Sequence, residues 1–376
     1  MKNEYSEPTQ FIDLASQQRP IRSAIESAIK RVLDHGNYIM GPEVVQLEKQ
    51  LTAFTGAKNV VSCANGTDAL TLVLMAWGVG AGDCVLVPSF TYVASAEVVA
   101  QLGAVPLFID VDDASFNVKP EQVEASVVAA TRIGLRPKVV IAVDLFGQPA
   151  DKELLSVAER FDMKLLIDAA QSFGGSIKQM KVGNFGHATT TSFFPAKPLG
   201  CYGDGGAVFT NSDADAEIIG SLRLHGRGDN KYDHIAVGMN SRLDTIQAAI
   251  LIEKLKIFPD ELIARQRIAD FYSRSLSGFV SVPTISEDRT SAWAQYTIRV
   301  PQRAAFQEKM SAAGIPTAIY YPRPLHMQPA YRAFPVCSQG CDVSEALANS
   351  VVSLPMHPYL TEEELSVIVD AVKVST

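Results

Sequence analysis

Residues 189–206 have the sequence TTTSFFPAKPLGCYGDGG, and the rest of the chain is arranged around this segment. A single lysine, Lys197, stands between two prolines, after a β-prone run and before glycines that let the backbone fold tightly. A lysine in such surroundings is held in place. The pattern therefore favours an amine that forms a Schiff base with a carbonyl compound, above all with pyridoxal phosphate, over a surface lysine in a polar turn.

Apolar runs alternate with amphipathic segments on both sides of this lysine. They predict strands over residues 59–64, 84–88, 105–109, 139–143, 165–167 and 207–210. Continuous apolar strands separated by helices predict an α/β fold with a mostly parallel sheet, whose ligands bind beyond the carboxyl ends of the strands. Asp110, Asp144 and Asp168 each lie at such an end, and we interpret Asp110 and Asp144 as caps of neighbouring loops.

Two helix starts bear on function. The turn at residues 65–67 precedes a helix predicted over 68–77, and the free N–H groups of such a start suit a phosphate, although most Asn-Gly pairs are simple turns. Farther on, Ser241 is predicted to cap a helix. That helix is expected to end before Pro259, with a second helix following to about Leu276.

Length and composition limit the class of protein. A chain of 376 residues suggests two domains, which we place at residues 1–255 and 256–376, and its net charge of -8 with scattered Lys and Arg does not indicate a nucleic-acid interface. Five widely spread cysteines do not suggest zinc, and no metal is expected. Residues 1–8 lack the apolar core of a signal peptide, and no apolar run reaches the length of a membrane span. We therefore expect a cytoplasmic protein with reduced thiols.

Four motifs resemble, in the same order, those of the DegT/StrS family of nucleotide-sugar aminotransferases that depend on pyridoxal phosphate. They are the lysine segment above, NGTDAL at 65–70, DAAQS at 168–172 and NSRLD at 240–244. The resemblance covers nearly the whole chain. It implies the aspartate-aminotransferase-like fold of type I, with a mostly parallel seven-stranded sheet, helices on both faces and a smaller C-terminal α+β domain.

The resemblance implies a role for each residue of a cofactor site. Lys197 would bind pyridoxal 5'-phosphate and then move a proton between the substrate Cα and the cofactor C4′, while Asp168 would keep the pyridine nitrogen protonated. The other implied contacts are Gly66, Thr67 and Ser192 on the phosphate, Asn240 on the phosphate of the neighbouring subunit, Gln171 on the phenolic oxygen and Tyr92 stacked on the ring. Taken singly, these would be ordinary turn or core residues.

Within the family, the chain most resembles enzymes that aminate the 3-keto group of a UDP-linked 2-acetamido hexuronic acid for bacterial surface polysaccharide such as O-antigen. Residues 35–42 and 353–360 carry this closer resemblance. It implies L-glutamate as donor, a homodimer with shared active sites, and sugar contacts from Gly36, Tyr38, Ala196, Arg242, Tyr320, Tyr321 and His326.

Four of these residues have a second interpretation or depart from the family pattern. Arg242 would bind the carboxylate of the donor or of the hexuronate, or else form a surface ion pair with Asp244. Ala196 and Tyr320 stand where close relatives commonly have serine and histidine. His326 lies in a predicted loop, where a histidine is usually solvated.

Other functions remain open at this point. The chain would also suit a 3- or 4-aminotransferase for another keto-deoxy nucleotide sugar, or a sensor that binds pyridoxal phosphate without catalysis. A sugar dehydratase of the same fold replaces the lysine by histidine, and Lys197 argues against that alternative.

Overall fold

The computed structural model describes residues 9–230 and 232–376, so the prediction made on residues 1–8 lies outside the described part. The α-helices are α1 (Leu14–Gln18), α2 (Arg22–His35), α3 (Pro42–Thr55), α4 (Gly66–Ala76), α5 (Ala94–Gln101), α6 (Pro120–Arg132), α7 (Glu153–Arg160), α8 (Asp213–Leu222), α9 (Thr245–Leu276), α10 (Arg303–Ala312), α11 (Asp342–Ser350) and α12 (Glu362–Ser375). The strands are β1 (Asn59–Cys63), β2 (Asp83–Pro88), β3 (Val105–Ile109), β4 (Arg136–Val143), β5 (Lys164–Asp168), β6 (Ser176–Ile177), β7 (Met180–Lys181), β8 (Ala188–Ser192), β9 (Gly206–Thr210), β10 (Arg289–Thr290), β11 (Tyr296–Arg299) and β12 (Val351–Leu354).

The central sheet has seven strands in the order β1-β9-β8-β5-β4-β2-β3. Strands β8, β5, β4, β2 and β3 run parallel, whereas β9 is antiparallel to both of its neighbours. Their residues are almost all buried, because helices cover both faces. The predicted α/β fold with a mostly parallel seven-stranded sheet is confirmed.

The three aspartates lie at the carboxyl ends of strands, as the sequence predicted. Asp110, after β3, accepts hydrogen bonds from the backbone N–H groups of Val343 and Ser344 at the start of α11. Asp144, after β4, accepts a hydrogen bond from the N–H of Ala150 at 2.7 Å. Both act as caps of neighbouring segments, while Asp168 ends β5 at the edge of a large cavity.

The long helix α9 differs from the predicted helix both at its start and at its predicted end. Ser241 does not cap it, because its buried hydroxyl accepts a hydrogen bond from the N–H of Ala64, and the helix begins four residues later at Thr245. Nor does the helix end before Pro259, which lies inside it. An internal proline costs about 3 kcal/mol. Burial on both sides of Pro259 offsets that cost, since helix residues before and after it belong to two hydrophobic cores.

The second core lies in the C-terminal part of the chain. There the later half of α9 packs with α10, α12 and the two-stranded sheet of β11 and β12. Other C-terminal residues, including Leu325 and Leu347, pack into the core of the central sheet. The division at residues 255 and 256 stays a prediction, and that boundary falls within α9.

No helix among the described residues is long and apolar enough to cross a membrane. The same residues contain no group of three or more His, Cys, Asp or Glu side chains that could hold a metal ion. All five cysteines are free and buried.

Candidate active site

A cavity of about 460 Å³ opens at the carboxyl ends of the central strands. Its wall contains most of the residues proposed from the sequence: Gly66, Thr67, Tyr92, Asp168, Gln171, Ser192, Ala196, Lys197, Tyr320 and Tyr321. We call this set, with the other residues that line the cavity, the cavity wall.

Lys197 lies in a closed loop that follows β8. The N–H of Phe193 donates to Gly205 O at 2.7 Å, and the N–H of Cys201 donates to Phe193 O at 2.7 Å. Gly200 is required here, because a Cβ at this position would lie 2.5 Å from Phe194 O. Burial lowers the pKa of the Lys197 amine, although the nearby charge of Asp168 acts in the opposite direction. More of the amine is therefore neutral and nucleophilic at a given pH.

Asp168 is the buried carboxylate of the cavity wall, with 7% of its surface exposed. Its two oxygens accept hydrogen bonds from the Ser95 hydroxyl at 3.0 Å and from the N–H of Ala170 at 3.2 Å. Burial raises its pKa, and these hydrogen bonds and the charge of Lys197 oppose the rise. Such a carboxylate gains most from a cationic partner that shares its buried surroundings.

Gln171 and two tyrosines form a neighbouring part of the wall. The Gln171 Oε1 accepts a hydrogen bond from the N–H of Phe146 at 2.7 Å, and its Nε2 donates to the Tyr321 hydroxyl at 3.2 Å. The second proton of that amide has no acceptor in the described part of the chain and can bind a ligand. The ring of Tyr92 lies 6.1 Å from that of Tyr321 and is about half exposed, so its face can cover a flat ligand.

The start of α4 forms the opposite end of the cavity. Asn65 caps the helix by accepting a hydrogen bond from the N–H of Asp68 at 2.8 Å, and the N–H groups of Gly66 and Thr67 precede it at the cavity. A Cβ on Gly66 would lie 2.7 Å from the Cβ of Ser192, so only glycine lets the helix start approach that hydroxyl. This close approach creates an anion site at a helix N-terminus.

Together these groups fit pyridoxal phosphate. The wall offers an amine for its aldehyde, a buried carboxylate for its ring nitrogen, an amide for its phenolic oxygen and a helix start for its phosphate. The close contact between Gly66 and Ser192 is the observation most specific to this cofactor. A side chain at position 66 would fill the end of the cavity where the phosphate would bind.

Sequence reasoning missed several residues of the wall. Thr91 and Gln295 each have a buried side-chain oxygen with no hydrogen-bond partner among the described residues. Ile12 also lines the cavity, next to Phe11, whose ring lies 6.3 Å from the ring of Tyr320. Asp204 belongs to the glycine-rich segment with which the sequence analysis began, and Thr91 precedes Tyr92, but no local pattern pointed to Gln295.

Five proposed residues are not among those that line this cavity. One is His326, and the other four are Gly36, Tyr38, Asn240 and Arg242, which we call the exposed flank. The chain brings them close together, because the N–H of Thr245 donates to Tyr38 O at 2.9 Å and Ile39 pairs with Asp244. Arg242 is half-buried and forms no ion pair with Asp244, nor with another side chain of the described residues.

His326 is likewise outside the cavity wall. Its Nδ1 lies 2.6 Å from the Ser89 hydroxyl, and its Nε2 lies 3.2 Å from a carboxylate oxygen of Glu345. Both ring nitrogens therefore have partners within the chain. The histidine joins two segments of the fold behind the wall.

Comparisons with known proteins agree with this geometry. The profile of the DegT/DnrJ/EryC1/StrS aminotransferase family matches residues 20–373. The chain is 48% identical to a UDP-2-acetamido-2-deoxy-3-oxo-D-glucuronate aminotransferase of Pseudomonas aeruginosa, over 96% of this chain and 98% of that protein.

Solved structures show the same likeness. A DegT DnrJ EryC1 StrS aminotransferase from Brucella abortus superposes with a TM-score of 0.96 at 48% identity, covering 97% of this chain and 98% of that one. NtdA from Bacillus subtilis, with bound cofactor PMP, superposes with a TM-score of 0.88 at 27% identity, covering 100% of this chain and 86% of that one.

Proposed function

This chain belongs to the DegT/DnrJ/EryC1/StrS aminotransferase family, and from that premise we propose that it moves the amino group of L-glutamate to the 3-keto position of a UDP-2-acetamido hexuluronic acid. The product would be a UDP-2-acetamido-3-amino uronic acid. The observation that carries the proposal is the cavity that joins Lys197, Asp168 and the start of α4. The Pseudomonas aeruginosa relative supports the choice of sugar.

The cofactor of this transaminase is pyridoxal phosphate, which supplies an aldehyde that takes up an amino group and a ring that withdraws electrons. Lys197 would hold its aldehyde carbon, and Asp168 would hold a proton on its ring nitrogen. Gln171 would donate to its phenolic oxygen, and Tyr92 would cover its face. The N–H groups of Gly66 and Thr67 and the hydroxyl of Ser192 would bind its phosphate.

Lys197 is also the group that we assign to proton transfer. Its amine lies in the cavity with a lowered pKa, so that it would accept a proton from the substrate Cα and deliver it to the cofactor C4′ on the same face. Ile12 lines the cavity, and the N–H of Met356 donates to the O of the preceding residue, Phe11, at 3.3 Å. This segment would help to exclude water while the proton moves.

We further propose a homodimer in which the exposed flank of one subunit completes the cavity of the other. Asn240 would reach the phosphate, and Arg242 would bind a carboxylate of the donor or of the sugar, with Gly36 and Tyr38 beside the nucleotide. Exposed apolar side chains near the flank support such an interface: Ile39 is 49% exposed, Ile235 76% and Val237 90%.

Ala196, Tyr320 and Tyr321 lie in the cavity wall and are proposed to contact the sugar. His326, with both nitrogens bonded inside the chain, is proposed to support the segment that carries Tyr320 and Tyr321. We place the reaction in the cytoplasm, in agreement with five free thiols, and in the synthesis of a surface polysaccharide such as O-antigen.

The visible absorption spectrum of the purified protein tests the proposal. We expect a yellow band that L-glutamate bleaches and that the UDP-linked 3-keto sugar acid restores, with Lys152→Ala behaving like the wild type. A band restored only by another keto sugar would overturn the choice of substrate. A band that L-glutamate leaves unchanged would overturn the donor and favour a non-catalytic sensor.

A further inference from the structure

Two buried oxygen atoms of the cavity wall have no hydrogen-bond partner among residues 9–230 and 232–376. They are Thr91 Oγ1 and Gln295 Oε1. An unpaired buried polar atom costs about 1–3 kcal/mol, so such atoms in native proteins are normally paired with protein, water or ligand. Neither oxygen is exposed to the cavity in this conformation, so a ligand there can supply the missing partner after a small rotation of the side chain.

The positions of Thr91 and Gln295 in the sequence indicate different roles for the two residues. Thr91 immediately precedes Tyr92, and every contact proposed for the cofactor within one subunit comes from residues 66–197. Gln295 comes instead from the C-terminal part of the chain, just before β11, as do Tyr320 and Tyr321. Gln295 therefore belongs to the part of the wall that remains for the sugar.

Backbone contacts place Gln295 beside Gln171. The N–H of Gln295 donates to Phe146 O at 3.3 Å, and the N–H of Phe146 donates to the Gln171 side chain at 2.7 Å. Both glutamines thus flank Phe146. Gln171 is proposed to bond the phenolic oxygen, which is next to the reacting carbon of the cofactor. Gln295 lines the same cavity and is bonded to the same residue, so it is a candidate to contact the sugar near its keto carbon.

The chemistry of the side chain limits what it recognises. An amide is neutral and offers both a donor and an acceptor, whereas the carboxylates of the donor and of the sugar acid call for a cation such as Arg242. Resting on the proposed function, we propose that Gln295 determines specificity by hydrogen-bonding the 2-acetamido group next to the reacting carbon. The carbonyl and N–H of an acetamido group complement the two ends of the glutamine amide.

One alternative is present in the structure. Gln295 also borders a second cavity of about 20 Å³ on its other side, which is large enough for one water. A water there would satisfy the Oε1 without any ligand. The test must therefore distinguish recognition of the acetamido group from a general effect of Gln295 on the cavity.

Binding of two unreactive ligands to the enzyme with its cofactor makes this distinction. UDP-2-acetamido-2-deoxyglucuronic acid carries the acetamido group, and UDP-glucuronic acid has a hydroxyl in its place; neither has the 3-keto group. Their dissociation constants are measured by calorimetry for the wild type and Gln295→Met, a substitution of similar volume without hydrogen bonds. Gln101→Met, on an exposed position of α5, is the matched control.

We expect Gln295→Met to raise the Kd of the acetamido ligand about tenfold and that of the hydroxyl ligand less than about twofold, since neutral hydrogen bonds are of modest strength. Gln101→Met should change neither value. An equal change for both ligands, or no change for either, would overturn the inference and leave the proposed function standing. If the wild type binds neither ligand, the hexuronate substrate and this inference both fail.

Discussion

The cavity wall and the exposed flank were assigned to the same site, yet the chain treats them differently. In the wall, Asp168 and Gln171 are buried and hydrogen-bonded within one subunit. On the flank, Tyr38 is about half exposed, Asn240 is exposed and Arg242 has no ion pair among the described residues. All residues of the wall come from one chain, whereas the role proposed for the flank requires a second subunit.

The largest effect is expected when the Lys197 amine, the central group of the cavity wall, is removed. Lys197→Ala should lower the rate of amino transfer by at least about 1,000-fold, because one amine serves both for attachment and for proton transfer. Steady-state kinetics with L-glutamate measure the loss, and Lys197→Arg should not restore it. A variant that keeps more than a tenth of the activity would show that the wall does not contain the essential amine.

The flank is expected to have a smaller effect that depends on the partner subunit. Arg242→Ala should lower kcat/KM about 10–100-fold, the size expected when a carboxylate loses a charge-assisted hydrogen bond. Mixed dimers of Lys197→Ala and Arg242→Ala subunits decide which cavity Arg242 serves. If it serves the partner's cavity, each mixed dimer contains one intact site and about half of the wild-type activity. If it serves its own, the mixed dimer keeps only the reduced activity of a single Arg242→Ala site.

The smallest expected effect is on the free energy of unfolding. It tests whether a buried carboxylate differs from an exposed one in its effect on stability. Burial raises the pKa of Asp144 from 3.8 to about 7, with a contribution from the charge of Asp168, while the Ser172 hydroxyl, the Ala150 N–H and Arg289 oppose the rise. The folded state then binds a proton more tightly than the unfolded chain. That stabilisation is complete below pH 4 and is lost as the pH rises to 7.

Asp144→Asn keeps the shape of the neutral carboxyl group and removes this dependence of the free energy of unfolding on pH. Relative to the wild type, the variant should gain about 2 kcal/mol in free energy of unfolding between pH 5 and pH 8, at about 1.4 kcal/mol for each pKa unit. Urea unfolding at both pH values measures it. Asp34→Asn, on an exposed carboxylate of α2, is the control and should show no comparable gain. Equal differences at the two pH values would contradict the assignment.

Local sequence patterns predicted six of the seven strands of the sheet and marked β8 as the β-prone run before Lys197. The strand predicted over residues 105–109 coincides with β3, and the other predicted strands differ from the observed ones by a few residues at their ends. Buried parallel strands are apolar along their whole length, so each is visible by itself. The turn at 65–67 could also be recognised, because a glycine and a cap residue mark a helix start in the sequence.

Long-range contacts explain what the sequence could not show. Ser241 looks like a helix cap, but its hydroxyl accepts from Ala64, which is 177 residues away. Pro259 looks like a helix end, yet two cores hold the helix on both sides of it. Gln295 joins the cavity wall only because the C-terminal part of the chain packs against Phe146. The roles proposed for the site residues themselves stay predictions until the variants are measured.

Helix α9 also determines how this protein can be recombined with its relatives. Its 32 residues contribute side chains to two hydrophobic cores, so the helix belongs to neither part of the chain alone. A chimera joined at residue 256 would combine half-helices from two parents and mismatch both cores at once. Exchange of the C-terminal part has to begin after residue 278, beyond the end of the helix, where Gly278 has open space around it.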